Sequence, residues 1–390
     1  MNNQSKSNNI LKAADVDIDS LKDGEVIDKV IKITSLDDFK ELFASGVNEN
    51  HRNVAHNHFT QTGDANDNGP SSASNARVMD YVYGNSNALS DEDKMYADQF
   101  FPLEINSVTG VDITYTKIKT YGPNGMPVLI NANTITFAGG SIQSISTLMT
   151  LKAKTVVIRD QPFNQKNYHI GILGSDGTKG HVGEQGAQGK TGPTGGGGVG
   201  YADTGGKGAT GHKGTDGHHG SPGQKSQTTN LSFGMVIAET ETPLTILAQP
   251  GAGGAGGQGG KGGTGGTGGQ GGCAHSSGCG DLSNGGNGGT GGKGGTGGKG
   301  GHGGAGASGD PVSITVPQSS RANVVISSEP GLPGAIGQPG HAGTKGSGGQ
   351  GGDGTKHRSH GIGGADGHSG AAGRPGTQGS NGTAAKITVN

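Results

Sequence analysis

The chain has 390 residues, 85 of them Gly, no Trp, 4% aromatic residues and a formal net charge of −2. That length leaves room for two or three domains, but the last Phe is Phe233 and the last Tyr is Tyr201, so a conventional hydrophobic core is expected only in about the first 160 residues. Lys and Arg are scattered along the sequence and no stretch approaches a membrane span, which argues against a nucleic-acid partner, a polybasic membrane surface and a transmembrane protein.

The opening MNNQSKSNNILKAADVDIDS lacks the apolar run of a signal peptide. The expected location is therefore extracellular or on a virion or particle surface, reached by lysis, by assembly onto a particle or through a dedicated secretion machine. EVIDKVIKIT (25–34) reads as a strand, and SLDDFKELFASG (35–46) as an amphipathic helix with Ser35 as N-cap, Asp38 at the capping-box position and Gly46 as stop. Residues 47–80 are rich in Asn, Ser and His and predict a long mobile loop. Within it His51, His56 and His58 have no Cys or carboxylate at helical spacing and read as solvated. DANDNG (64–69) matches the front half of a calcium loop, but position twelve is Asn75 rather than Glu, so an Asx-turn loop is expected. A second helix starts at Ser90 in SDEDKMYADQFF (90–101) and stops before Pro102. Residues 1–110 thus predict a small α+β domain suited to attachment. VDITYTKIKTYGPNGMPVLINANTITFAGG (111–140) alternates apolar and polar positions around a GPNG turn. With LMTLKAKTVVI (148–158) it predicts a β-rich base over 111–160, a solenoid or a sandwich.

From residue 161 to the end the organising feature is a triplet. Gly recurs at every third position over 171–198, 205–223, 251–272, 285–309, 331–352 and 361–382. These six arms form three pairs, interrupted by VGYADT (199–204), CAHSSGCGDLSN (273–284) and DGTKHRSH (353–360). β-like segments separate the pairs, and TVVI (155–158), MVIA (235–238), SITV (313–316) and KITV (386–389) recur at intervals of about 75 residues. A three-residue period is that of the polyproline II helix. Collagen uses it with many prolines in three parallel chains, whereas these arms are poor in proline and paired like hairpins. The expected fold of 161–390 is a monomeric six-arm polyglycine II bundle of three hairpins with interleaved strands. The GGX arms, 251–272 and 285–309, belong at its centre, because two glycines per triplet admit neighbours on two sides.

No P-loop, GxSxG or paired acidic cluster is present, so no enzyme, cofactor or metal site is expected. Cys273 and Cys279 lie six positions apart and predict a local disulfide, with a Cys/His metal site including His275 as the alternative. Loops carry function on a stiff scaffold. The candidate binding residues are accordingly Tyr201 and Asp203 in the first break, His275 in the second, and Lys356, His357, Arg358 and His360 in the third, the most basic of the three.

The paired glycine arms over 171–382 resemble two polyglycine II families, the springtail antifreeze proteins and the distal tail-fibre adhesins of T-even-like phages. The second resemblance implies a glycine-rich bundle whose end loops bind a host receptor, behind an N-terminal domain that attaches to the fibre. The expected function is a non-enzymatic recognition or adhesion protein whose rod presents tip loops to a cell-surface glycan or an outer-surface protein. The rival expectations are an ice-binding protein, a collagen-like matrix fibre and a host-directed toxin with a glycine-rich module.

Overall fold

The structure is a computed structural model and describes residues 20–62, 70–123, 125–198, 200–277, 280–281 and 283–390. The chain is mixed α/β, with few helices and a large β component. Strand β1 (Val26–Ile33) is followed by helices α1 (Leu36–Phe43), α2 (Glu49–Thr62), α3 (Pro70–Tyr83) and α4 (Asp91–Asp98). Ser35 caps α1 by accepting the Asp38 N–H, and Ser90 caps α4 in the same way.

The 47–80 stretch corrects the sequence expectation, because it holds α2 and α3 where a loop was expected. Its signal is weak because the buried face of α2 combines Ala55 and Phe59 with two histidines, His51 and His58. These residues recur at helical spacing, but the histidines count as polar in any periodicity reading. Asn48 caps the helix by accepting the His51 N–H at 2.9 Å. His56 Nδ1 lies 3.1 Å from Asp80 on α3, and Arg77 of α3 grips Asp93 of α4 with two bonds of 2.8 Å. The guanidinium of Arg77 holds the Asp93 carboxyl down to about 2. DANDNG (64–69) lies outside the described residues.

Two sheets follow. One has seven strands in the order β1, β2 (Leu103–Tyr115), β4 (Val128–Ala138), β6 (Met149–Asp160), β8 (Thr229–Ala238), β12 (Val312–Thr315) and β14 (Ile387–Val389). The other has five, in the order β13 (Val324–Ser328), β9 (Leu244–Gln249), β7 (Ile170–Leu173), β5 (Ser141–Ile145) and β3 (Ile118–Tyr121). Two-residue strands β10 (Ser276–Ser277) and β11 (Gly280–Asp281) form a separate hairpin. Apart from the antiparallel edge strand β1, all pairings in both large sheets are parallel. The expected boundary at residue 110 falls inside β2. The two sheets share one apolar cluster that includes Ile130, Phe137, Leu151, Ile170, Phe233 and Ile314. A second cluster seats α1 and α2 on the seven-stranded sheet through Phe43, Phe59, Ile105 and Leu129.

The strand likeness seen in the sequence holds in one place: Thr155 to Ile158 pair in register with Met235 to Ala238. Ser313 instead pairs with Asn230, because β12 is short and meets only the start of β8, and Val312 pairs with Ile387.

The glycine arms grow from one corner of this base. The chain passes from the five-stranded to the seven-stranded sheet through residues 122–127 and 146–148 in the first two rounds. In the next three it passes through 174–228, 250–311 and 329–386, which hold the three hairpins. Numbering the arms 1 to 6 in chain order, arms 1, 3 and 5 prolong β7, β9 and β13, and arms 2, 4 and 6 lead into β8, β12 and β14. Arms 1, 3 and 5 make one layer: Gly177 N–H donates to Ala252 at 2.7 Å and Gly262 N–H to His341 at 2.9 Å. Arms 2, 4 and 6 make the other, with Gly208 N–H to Thr290 at 2.9 Å and Gly294 N–H to His368 at 2.8 Å. Bonds such as Gly254 to Ser221 and Gly295 to Gly263 join the layers at 2.9 and 2.7 Å, and each series repeats every third residue. Arms 3 and 4, the GGX arms, each bond to four neighbours, whereas arms 1 and 6 bond to two. Their glycines are almost all buried and most of their third residues exposed.

A methyl group on Gly265 would stand 2.1 Å from the Gly292 carbonyl oxygen, with backbone on two neighbouring arms. On Gly363 it would meet nothing nearer than the Gly349 oxygen at 3.7 Å. Gly265→Ala is expected to destabilise the protein by about 3 kcal/mol or more. Gly363→Ala should be neutral or stabilising by about 0.4–1 kcal/mol, through the smaller entropy of the unfolded chain. Chemical denaturation of the two variants checks this ordering; equal midpoints would remove the packing argument.

His51 gives a second expectation. It is 0% exposed, neither ring nitrogen has a hydrogen-bond partner, and burial, then the Arg52 charge, lowers its pKa to about 4. Between the ordinary value of about 6.5 and this value the unfolded chain binds the extra proton, so stability falls as pH falls through that window, by up to roughly 3 kcal/mol. Denaturant titrations across the window measure the slope, and His51→Leu should flatten it.

Candidate functional site

The far end of the glycine arms brings the three breaks together. In the first, the Asp203 N–H donates to the Gly196 carbonyl and its own carbonyl accepts the Gly272 N–H, both at 2.9 Å. Asp203 therefore both closes its hairpin and braces it against arm 3. Tyr201, beside it, is 75% exposed, which leaves a large amphipathic ring in solvent next to a carboxylate.

In the second break, the His275 N–H donates to Oγ of the buried Ser283 at 3.0 Å, which leaves the imidazole outside. Cys273 is an exposed free thiol; Cys279, its expected bridge partner, lies outside the described residues. Among the described residues no group of three metal-ligating side chains occurs.

The third break is a tight turn. Thr355 and Arg358 exchange backbone bonds of 3.1 and 3.3 Å, which places Lys356 and His357 at its apex. His360 Nδ1 accepts the Gly354 N–H at 3.1 Å and lies 3.9 Å from an Asp353 carboxylate oxygen. Lys356, His357, Arg358 and His360 are all exposed. These exposed side chains are carried by a turn that its own backbone bonds hold.

Two contacts tie the second break to the third: the Ala274 N–H donates to the Asp353 carbonyl at 2.8 Å, and Asn284 Oδ1 accepts the Ser359 N–H at 3.3 Å. The breaks therefore form one composite surface, with Tyr201 and Asp203 towards arm 3 and the basic turn beyond the second loop. Asp353 and Asn284 were not among the sequence candidates. The available signal was their position, immediately beside a glycine arm, where an Asx side chain or carbonyl can meet backbone N–H groups left over by the ladder.

The other end of the arms is closed by a different cluster. His58 Nε2 lies 3.1 Å from the buried Asp310 carboxylate, which Lys225 approaches to 3.5 Å. This cluster pins α2 to the roots of arms 2 and 4. It is a structural joint, since all three partners belong to elements that must meet there. No family model, no curated protein and no solved structure matches this chain.

Proposed function

We propose that this protein is a non-enzymatic recognition or adhesion protein. In this reading a polyglycine II bundle grows from a parallel β-solenoid and presents its three end loops to a cell-surface glycan or an outer-surface protein. The N-terminal helices form the end that attaches to a carrier. The observation that carries the reading is the joining of all three breaks at one end of a hydrogen-bonded array, with the basic turn 353–360 outermost. At about 3.1 Å per residue, a 22-residue arm holds that surface roughly 70 Å from the base.

A scaffold of this kind suits display rather than catalysis. It holds exposed polar side chains in fixed relative positions. The helical layer at the other end leaves Met95 71% and Phe100 55% exposed, apolar surface that a carrier would cover. Among the described residues no helix is long and apolar enough to cross a membrane.

Binding of the full chain to an array of neutral, phosphorylated and sulfated glycans tests the tip. Replacing Lys356, Arg358 and His360 together with Gln is expected to abolish binding to anionic glycans without changing the melting temperature, and wild-type binding should weaken as salt rises. Binding kept by the triple variant would move recognition elsewhere. The polyglycine II reading is tested by chain count. All the bonds that join the six arms lie within one chain, so one chain per particle by light scattering and a melt independent of concentration are expected. Three chains per particle and a concentration-dependent melt would favour a collagen-like trimer.

A further inference from the structure

The cations that look scattered in sequence are gathered on one flank of the array. In a segment with three residues per turn, residues three apart point the same way. On arms 2, 4 and 6 one such set of positions covers the outer face of their shared layer. Four contacts fix which set it is. Asp216 Oδ1 on arm 2 accepts the Lys299 N–H of arm 4 at 2.8 Å, and His219 Nδ1 accepts the His302 N–H at 2.8 Å. On the other side, His302 Nδ1 accepts the Thr377 N–H of arm 6 at 2.9 Å, as Asn287 Oδ1 accepts the Ile362 N–H. The rings of His219 and His302 stack 4.6 Å apart.

Stepping from these contacts by three residues places Lys207 beside Thr290, Lys293 beside Thr210, Lys213 beside Thr296, and Lys299 beside Asp216 and Arg374. All five cations are exposed. They occupy four successive levels of the array, each about 9 Å from the next. Among the described residues Asp216 is the only carboxylate on this face. It pairs with Lys213 at 2.9 Å, and that bond, with the Lys299 N–H, holds its carboxyl below the ordinary value. Among the described residues the opposite face, on arms 1, 3 and 5, carries Lys179 and Lys261 against Asp176.

We propose that the outer face of arms 2, 4 and 6 binds a linear anionic polysaccharide along the length of the rod. The spread over four levels favours a polymer over a small anion, for which only the level of Lys299 and Arg374 offers two neighbouring cations. It suits a polymer whose acidic groups recur at a comparable interval, once per disaccharide. Threonine hydroxyls between the cations supply hydrogen bonds to sugar hydroxyls. A nucleic acid fits less well, since the rings on the face are the paired histidines and His368, with no Trp, Tyr or Phe for stacked bases among the described residues and no helix or ribbon to enter a groove. This site is separate from the tip, and its assignment does not depend on recognition there.

The test uses the full chain and heparin fragments of defined length, from disaccharide to dodecasaccharide, as probe. Affinity is expected to rise with fragment length until four repeats are spanned, and to fall steeply with salt. Replacing Lys207, Lys213, Lys293, Lys299 and Arg374 with Gln, all at exposed positions, should weaken the long fragments by at least about tenfold with an unchanged melting temperature. The tip variant with Lys356, Arg358 and His360 replaced should bind them as wild type does. Unchanged binding by the flank variant, loss in the tip variant instead, or affinity independent of length would each overturn the proposal. Equal affinity for duplex DNA of matched charge would overturn its assignment to a polysaccharide. The glycan-array result for the tip variant remains a separate readout, so failure of one site does not decide the other.

Discussion

The distance between neighbouring arms is set by backbone hydrogen bonds alone. Donor and acceptor stand 2.7 to 3.2 Å apart across the array, and at that separation the volume a Cβ would occupy is already filled by a carbonyl of the next arm. The sequence of the whole C-terminal half follows from this. Where an arm has four neighbours two residues of each triplet must be Gly, and where it has two or three neighbours one is enough for most triplets. The conformational entropy lost in ordering so much glycine is large. It is opposed by a regular network in which nearly every inward N–H finds a carbonyl.

Such a network has an ambiguity that ordinary cores lack. Sliding one glycine arm along its neighbour by one triplet restores every backbone bond, so the arms cannot choose their own register. The β base makes the choice. Leu173 pairs with Gln249 within a sheet, and the next residue, Gly174, donates to the same Gln249 carbonyl before the triplet series begins. The apolar cluster between the sheets penalises any slip by moving side chains to the wrong face. Side chains that cap backbone N–H groups of a neighbouring arm, Asp176 on Ala252 and Asp216 on Lys299, mark particular levels further out.

These relations were unequally legible in the sequence. The triplet, the pairing of arms and the central place of the GGX hairpin follow from composition, because glycine spacing is itself the packing rule. Helices α1 and α4 announce themselves through Ser35 and Ser90. Helices α2 and α3 do not, since His51 and His58 fill core positions that a reader of hydrophobicity expects to be Leu or Val. The tip was legible as three breaks, yet the joints made by Asn284 and Asp353 depend on which arms are neighbours. The basic flank was illegible for the same reason. Lys207 and Arg374 are far apart in the chain, and only the order of arms in a layer brings them to within one and two levels of Lys293.

The near absence of hydrocarbon from the array also divides the molecule thermally. Unfolding the base exposes Ile130, Phe137, Leu151 and their neighbours, which raises the heat capacity and makes that part lose stability on cooling as well as on heating. Unfolding the arms exposes mostly peptide groups, and polar exposure changes heat capacity in the opposite sense, by about −0.26 cal/K/mol per Å². The two halves therefore have stability curves of different shape. In the cold it is the apolar base, not the glycine rod, that sets the limit.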